Sequence, residues 1–172
     1  DHSAVTGVDS LATDLEIIYP AYLSQGLVDG GITMNSATGN NTAYLDTADV
    51  TDSISMTALL GDNELDVVGR IIQAVEVPVH VPPYNNEGAE LAPGQRLDAT
   101  IGGGITMDAS NALDTDGGSN DAYLETAIVA LDVNMNAYVD NDIKVTDSTV
   151  NGSIITNAIT GSNTVNIDPS TV

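Results

Sequence analysis

The pentapeptide GGITM at residues 30–34 decides how this chain is organised, because the same five residues return at residues 103–107. The sequences downstream match as well, with AYLDTA at residues 43–48 and AYLETA at residues 122–127. Matching flanks make a chance identity a poor explanation. The pentapeptide therefore marks one end of a longer internal repeat.

The two repeats run from about residue 27 to 68 and from about residue 97 to 145. Each contains a segment in which every second residue is apolar, the pattern of a β-strand with one buried face. These alternating residues are Ile54, Met56, Ala58 and Leu60 in the first repeat, and Leu131, Val133, Met135, Ala137 and Val139 in the second. Met56 and Met135 are 79 residues apart and the pentapeptides 73, which predicts a six-residue insertion within residues 113–119.

The composition predicts an all-β fold, since Val, Ile and Thr suit strands and Asn, Asp and Gly suit turns. We expect a β-sandwich built on the duplicated strand unit, because the repeats are too long and too few for a regular solenoid. Residues 1–82 would hold the first repeat, residues 83–96 a Pro/Gly/Asn loop, and residues 97–172 the second repeat with C-terminal strands. One single domain is the alternative. Residues 75–81, which include Pro78, are predicted to form an edge strand.

The charge balance excludes several classes of function. With 3 basic and 25 acidic residues, the net charge is −22, and a phosphate backbone requires clustered Lys and Arg. We therefore expect no nucleic-acid binding, and no apolar run is long enough for membrane insertion. The chain begins at Asp1 rather than Met. This start and the composition predict export after signal-peptide cleavage, to the extracellular space or the cell surface.

The Asp/Asn-rich insertion is the candidate metal site. Asp114, Asp116, Asn120, Asp121 and Glu125 offer oxygen ligands of the kind that calcium prefers. The residues that flank this loop have no helical pattern, so it is not an EF-hand. A solvated acidic turn is the alternative. Two further acidic clusters follow the duplicated strand, Asp62, Glu64 and Asp66 in the first repeat and Asp140 and Asp142 in the second. Alternating carboxylates of a strand lie on one face, so we expect solvated strand faces, with a shared metal edge as the alternative.

No catalytic set is recognisable, so we predict that the protein is not an enzyme. His80 lies in an alternating apolar segment, and no nucleophile-elbow sequence accompanies it. Pairs of carboxylates arise by chance among 25 acidic residues. The absence of Trp and Phe also disfavours a glycan-processing site, which normally presents aromatic platforms.

The tail, residues 143–167, places short apolar segments around the turns Asn151-Gly152 and Gly161-Ser162. In composition and turn spacing, the last thirty residues and residues 52–60 resemble secreted bacterial strand-repeat proteins, such as curli-like fibre subunits and cell-surface adhesins. The resemblance implies a structural or adhesive role outside the cell.

Duplication, the missing catalytic set and the acidic Thr/Asn/Gly composition point to a structural subunit of an extracellular filament, pilus-like fibre or surface layer. Copies would form a homopolymer by strand pairing, with exchange of a terminal strand such as residues 5–8 or 164–167 between subunits. The alternative is a calcium-dependent adhesin or carbohydrate-binding module. Such a module would expose Tyr44, Tyr123 or Tyr138 beside a bound calcium, against a glycan or surface ligand.

Overall fold

A computed structural model describes the backbone of residues 11–13, 21–24, 26–71, 96–111 and 118–172. Strands joined by short turns make up this part of the chain, and no helix occurs in it. The strands are β1 (Leu11–Thr13), β2 (Ala21–Ser24), β3 (Leu27–Val28), β4 (Ile32–Ser36), β5 (Asn41–Asp46), β6 (Asp49–Val50), β7 (Ile54–Ala58), β8 (Asn63–Val68), β9 (Arg70–Ile71), β10 (Arg96–Leu97), β11 (Ala99–Ile101), β12 (Ile105–Ala109), β13 (Asn120–Glu125), β14 (Ala127–Val129), β15 (Val133–Ala137), β16 (Asn141–Thr146), β17 (Thr149–Val150), β18 (Ile154–Ala158) and β19 (Asn163–Asp168).

The strands stack into three parallel sheets, and successive strands of each sheet come from successive passes of the chain. Sheet A has the order β1-β4-β7-β12-β15-β18, sheet B the order β2-β5-β8-β13-β16-β19, and sheet C the order β3-β6-β11-β14-β17. The short pair β9–β10 is antiparallel and stands outside the three sheets. Because the chain visits A, B and C in turn, the described fold is a β-solenoid.

One pass through sheets A, B and C is called a coil here, and six coils are numbered from the N-terminus. Coil 1 is β1–β3, coil 2 is β4–β6, coil 3 is β7, β8 and β11, coil 4 is β12–β14, coil 5 is β15–β17 and coil 6 is β18–β19. Equivalent residues of coils 2 and 3 are 22 apart, as Asn41 and Asn63 are. Strands of neighbouring coils pair in register, so each inward position becomes a column of similar side chains.

The core is made of these columns. The clearest contains all four methionines of the chain, Met34, Met56, Met107 and Met135, which are paired in successive strands of sheet A and buried. In coil 6 the same position is Thr156. The expected alternating strands are confirmed in part as β7 and β15, which bury Ile54, Met56, Ala58, Val133, Met135 and Ala137. Leu60 and Val139 lie beyond the strand ends and are half-buried, and Leu131 is exposed.

The repeated pentapeptide turns the corner from sheet C into sheet A. A Cβ on Gly31 would lie 2.7 Å from the Ser53 carbonyl oxygen, and one on Gly104 would lie 2.7 Å from that of Asp132. Glycine is therefore needed where the next coil's backbone approaches the corner closely. The Ile and Met that follow enter the core columns in both copies.

The all-β prediction with an internal repeat is confirmed, but the strand arrangement differs from the expected sandwich. Sandwich sheets are antiparallel, whereas all pairs within sheets A, B and C are parallel. The Asn151-Gly152 turn likewise turns a corner between parallel sheets, rather than folding its flanking strands into a hairpin. Each long repeat seen in the sequence holds two coils.

Two insertions interrupt the spacing of about 22 residues between equivalent positions of neighbouring coils, so this spacing is hard to see in the sequence. Residues 69–98 separate β8 from β11, and the pair β9–β10 forms the base of this excursion. Ten residues separate β12 from β13, against four between β7 and β8, which confirms the six-residue insertion. The predicted edge strand at residues 75–81 and most of the loop at residues 83–96 lie outside the described residues.

Candidate functional site: the exposed end of the last coil

A ladder of asparagines runs through the solenoid at the first position of the sheet B strands. It consists of Asn41, Asn63, Asn120, Asn141 and Asn163. Each Nδ2 donates to the Oδ1 of the next coil's asparagine, at 2.9, 2.8, 2.9 and 2.8 Å in chain order. The ladder therefore has a direction, with donors pointing towards the C-terminal end.

The ladder also satisfies buried backbone groups. Nδ2 of Asn120 donates to the Asn136 carbonyl oxygen at 2.8 Å, and Nδ2 of Asn41 to that of Thr57 at 2.8 Å. An amide side chain suits this corner because it presents a donor and an acceptor along the stacking direction. The four asparagines before Asn163 are buried, so the three bonds between them are shielded from water, and the fourth, to Asn163, is part-buried.

Coil 6 breaks the burial pattern of the coils before it. Val165 and Ile167 are 45 % and 44 % exposed, although they pair in register with Ile143 and Val145, which are 0 % exposed. Within the described residues, no acceptor lies within hydrogen-bonding distance of the Asn163 Nδ2. The side chains that form a core elsewhere thus form a surface here.

The same end presents unpaired strand edges. β18 and β19 are the last strands of sheets A and B, and no described strand pairs with their outer edges. Such an edge carries a row of backbone N–H and C=O groups that can accept another strand. We call the surface formed by β18, β19 and their inward side chains the C-terminal face.

At the N-terminal end, the described strands of coil 1 pair with coil 2, β1 with residues 34–36 and β2 with residues 43–46. Ile32 is 8 % exposed, whereas its equivalent Ile54 is fully buried. The Oδ1 of Asn41 is buried and has no hydrogen-bond partner. A buried acceptor in this state carries a free-energy cost.

Outward on sheet B, carboxylates of neighbouring coils stack on one another. Glu64, Asp121 and Asp142 pair in register, and Asp66 lies on the same face. Desolvation raises the pKa of Asp121, and the charges of Asp142 and Glu64 raise it further. Desolvation, with the charges of Glu64 and Asp121, also raises the pKa of Asp66. These like charges lie on the outward face of sheet B.

The predicted calcium ligands do not converge in the described residues. Asn120 points inward and belongs to the ladder, while Asp121 points outward on the opposite face of β13. Glu125 accepts a hydrogen bond from the Tyr123 hydroxyl, and lies about 13 Å along the strand from Asp121. Asp114 and Asp116 lie outside the described residues. Among the residues that are described, no group of three or more His, Asp or Glu could hold a metal ion.

The tyrosines considered for ligand binding lie on different surfaces. Tyr44 and Tyr123 occupy the same outward position of sheet B with Asp66 between them. The Lys144 Nζ lies 5.1 Å from the centre of the Tyr123 ring, and the hydrogen bond to Glu125 is the main cause that raises the pKa of Tyr123 to about 12. Tyr138 lies between β15 and β16.

Comparison of the chain with protein-family models, curated protein sequences and solved structures finds no match. In the part of the chain that the structure describes, no helix is long and apolar enough to cross a membrane. The geometry of the two ends therefore carries the functional argument.

Sequence reasoning missed the asparagine ladder. Its signal is present in the sequence: an asparagine recurs 22 residues after Asn41 and 22 residues after Asn141. Asn63 and Asn120 are 57 residues apart because both insertions lie between them, so the two halves of the ladder do not share one regular spacing in the sequence.

Proposed function

We propose that this protein is the structural subunit of an extracellular filament, a homopolymer whose copies join end to end by β-strand pairing. The observation that carries the proposal is the exposure of Val165 and Ile167 at the C-terminal face, where the equivalent residues of coils 2 to 5 are buried. Another β-layer on this face would bury apolar surface, at about 25 cal/mol per Å², and would pair the free strand edges.

Charge favours contact at the ends over contact at the sides. The net charge of −22 opposes close approach of two copies, and the stacked carboxylates of sheet B place much of that repulsion on a lateral surface. The C-terminal face presents apolar and neutral polar residues inward, namely Ile154, Thr156, Ala158, Asn163, Val165 and Ile167. Salt screens the remaining repulsion, since the Debye length falls from about 10 Å at 0.1 M to about 3 Å at 1 M. Assembly should therefore strengthen with ionic strength.

Electron microscopy and light scattering of the purified chain over a range of protein and salt concentrations test the proposal. The decisive variant carries Val165→Lys and Ile167→Lys, which places two charges inward on the C-terminal face. A matched control carries Thr164→Lys and Asn166→Lys, which adds the same charge to the outward side of the same strand. Wild type and control should form filaments, and the inward variant should remain monomeric.

One outcome would overturn the proposal, and another would narrow it. Wild-type chains that stay monomeric at every salt and protein concentration would overturn it. Filaments of wild type that survive chelation would retain the structural role and remove calcium from it.

A second candidate is a carbohydrate-binding or adhesive module, favoured by the outward position shared by Tyr44 and Tyr123 on sheet B. An aromatic ring supplies a surface on which a sugar can stack. A glycan array with the wild type and a Tyr44→Ala/Tyr123→Ala variant tests it. Binding lost in the variant would support this function, and an array without signal for the wild type would reject it.

A further inference from the structure

The direction of the asparagine ladder restricts how two ends can meet. The ladder ends in a donor, the Asn163 Nδ2, at the C-terminal face. It begins in a buried acceptor without a partner, the Asn41 Oδ1, near the N-terminal end. Donor and acceptor match when copies stack head to tail. A two-fold contact between C-terminal faces would instead bring two donors together at this position.

Coil 2 and coil 6 are also similar in sequence. β5 reads NTAYLD and β19 reads NTVNID, with Asn, Thr and Asp at the same positions. In register, Val165 would cover Ala43 and Ile167 would cover Leu45, so the apolar columns would continue. In sheet A, β4 reads ITMNS and β18 reads IITNA, which places Ile154 over Ile32.

Coil 1 stands between these two surfaces. The Asn41 Oδ1 remains buried without a donor in the free chain. A neighbour's coil 6 would offer the missing donor.

From these observations we propose that, in the filament, coil 6 of one copy displaces β1 and β2 from β4 and β5 of the next copy. The Nδ2 of Asn163 then donates to the Oδ1 of Asn41, and the ladder continues from copy to copy. This inference rests on the proposed function and specifies the surfaces, the polarity and the exchanged element. The released strands β1 and β2 are then the exchanged segment.

Engineered cysteines test the register directly, because the chain has no cysteine of its own. Exchange places Thr164 of one copy beside Thr42 of the next, at the same outward position. Adjacent strands lie about 4.8 Å apart, within the Cα separation of roughly 4.4–6.8 Å that a disulfide spans. Thr42→Cys and Thr164→Cys variants, mixed and oxidised under assembling conditions, should give a crosslinked dimer that contains one of each.

A second pair tests stacking without exchange. If coil 1 stays in place, Asn166 would lie beside Tyr22 of the next copy, because Tyr22 pairs with Tyr44 and occupies the same register position. Crosslinking of Tyr22→Cys with Asn166→Cys, and not of the first pair, would overturn the exchange and leave end-to-end assembly intact. Homodimers of Thr164→Cys alone would indicate a two-fold contact and overturn the polarity. Filaments without any crosslink would overturn the inference alone.

An Asn163→Asp variant tests the ladder contact. The carboxylate still accepts from the Asn141 Nδ2, but it cannot donate to Asn41. We expect the critical concentration for assembly to rise about tenfold or more, as for loss of a buried hydrogen bond. Asn166→Asp adds the same charge on the outward side of β19 and should raise the critical concentration less. Equal effects of the two variants would contradict the contact, while loss of assembly in the wild type would instead remove the proposed function.

Discussion

Coils 5 and 6 place aliphatic residues in the same register of sheet B, yet these residues are core in one coil and surface in the other. Ile143 and Val145 are fully buried, while Val165 and Ile167 are about half exposed. The difference does not come from the side chains, which are all aliphatic. In a solenoid, a residue is buried by the coils on both sides of it. A matched substitution in coils 5 and 6 therefore separates the stability of one chain from the association of two.

Substitutions in the asparagine ladder should show the largest difference in unfolding free energy between a buried coil and coil 6. Asn120→Ala leaves the Asn63 Nδ2 without its Oδ1 acceptor and the Asn141 Oδ1 without its donor. Each unsatisfied buried group costs about 1–3 kcal/mol, so we expect a loss of roughly 2–6 kcal/mol in the free energy of unfolding. Asn163→Ala leaves only the Asn141 Nδ2 without its acceptor, in a part-buried bond at the exposed end, and should cost about 1 kcal/mol. Urea unfolding of the two variants under non-assembling conditions measures both, and equal losses would contradict this account.

The next largest difference between coils 5 and 6 is expected when an inward aliphatic side chain is truncated. Ile143→Ala should destabilise the monomer by about 2–5 kcal/mol, because it removes a fully buried side chain. Val165→Ala should cost under about 1 kcal/mol in the monomer, but should weaken assembly. Denaturant midpoints and sedimentation velocity of the pair test this contrast. A large loss of monomer stability from Val165→Ala would mean that the C-terminal face is already covered in the free chain.

A substitution on the acidic face of sheet B should have a smaller effect on stability, and it should stabilise the chain rather than destabilise it. Asp121→Asn removes the middle charge of the Glu64–Asp121–Asp142 column. Cross-strand like charges destabilise by roughly 0.2–1 kcal/mol, so the variant should be more stable by that amount in low salt. Asp168→Asn, on coil 6 beside Thr146, serves as the control and should be nearly neutral. The part of the gain that comes from the like charges should disappear at 1 M salt, whereas the part that comes from desolvation of Asp121 should remain. A gain that does not depend on salt would contradict a contribution from the neighbouring charges.

The pH dependence should give the smallest effect. Burial raises the pKa of both Asp66 and Asp121 above the ordinary value of 3.8. The folded state therefore binds these protons more tightly than the unfolded state, and stability falls as the pH rises above 3.8 through the raised pKa values. An Asp66→Asn/Asp121→Asn variant should exceed the wild type in stability at pH 7, with the difference shrinking near pH 4. Urea midpoints at both pH values measure it, and a constant difference would exclude linkage to these two groups.

The strand content was predictable because alternating apolar residues identify β7 and β15 without knowledge of their partners. The direction of strand pairing could not be predicted in the same way, because an in-register parallel stack shows in the sequence only as a regular spacing between similar residues. Residues 69–98 and the insertion between β12 and β13 break that period, so two coils read as one long repeat. Asn120 illustrates the limit at the site: in sequence it belongs to an acidic loop, and only the fold shows that it points inward.

The excursion at residues 69–98 has a consequence for how the chain folds. Most neighbouring coils meet through residues about 22 apart, but Asp49 must find Thr100 across the excursion. Each doubling of loop length adds about 0.6 kcal/mol to the entropic cost of closure. The chain should therefore nucleate as two blocks, the strands before the excursion (β1–β8) and those after it (β11–β19), which then pair in a slower step. Amide exchange under native conditions would then detect two cooperative units meeting at the boundary between β8 and β13.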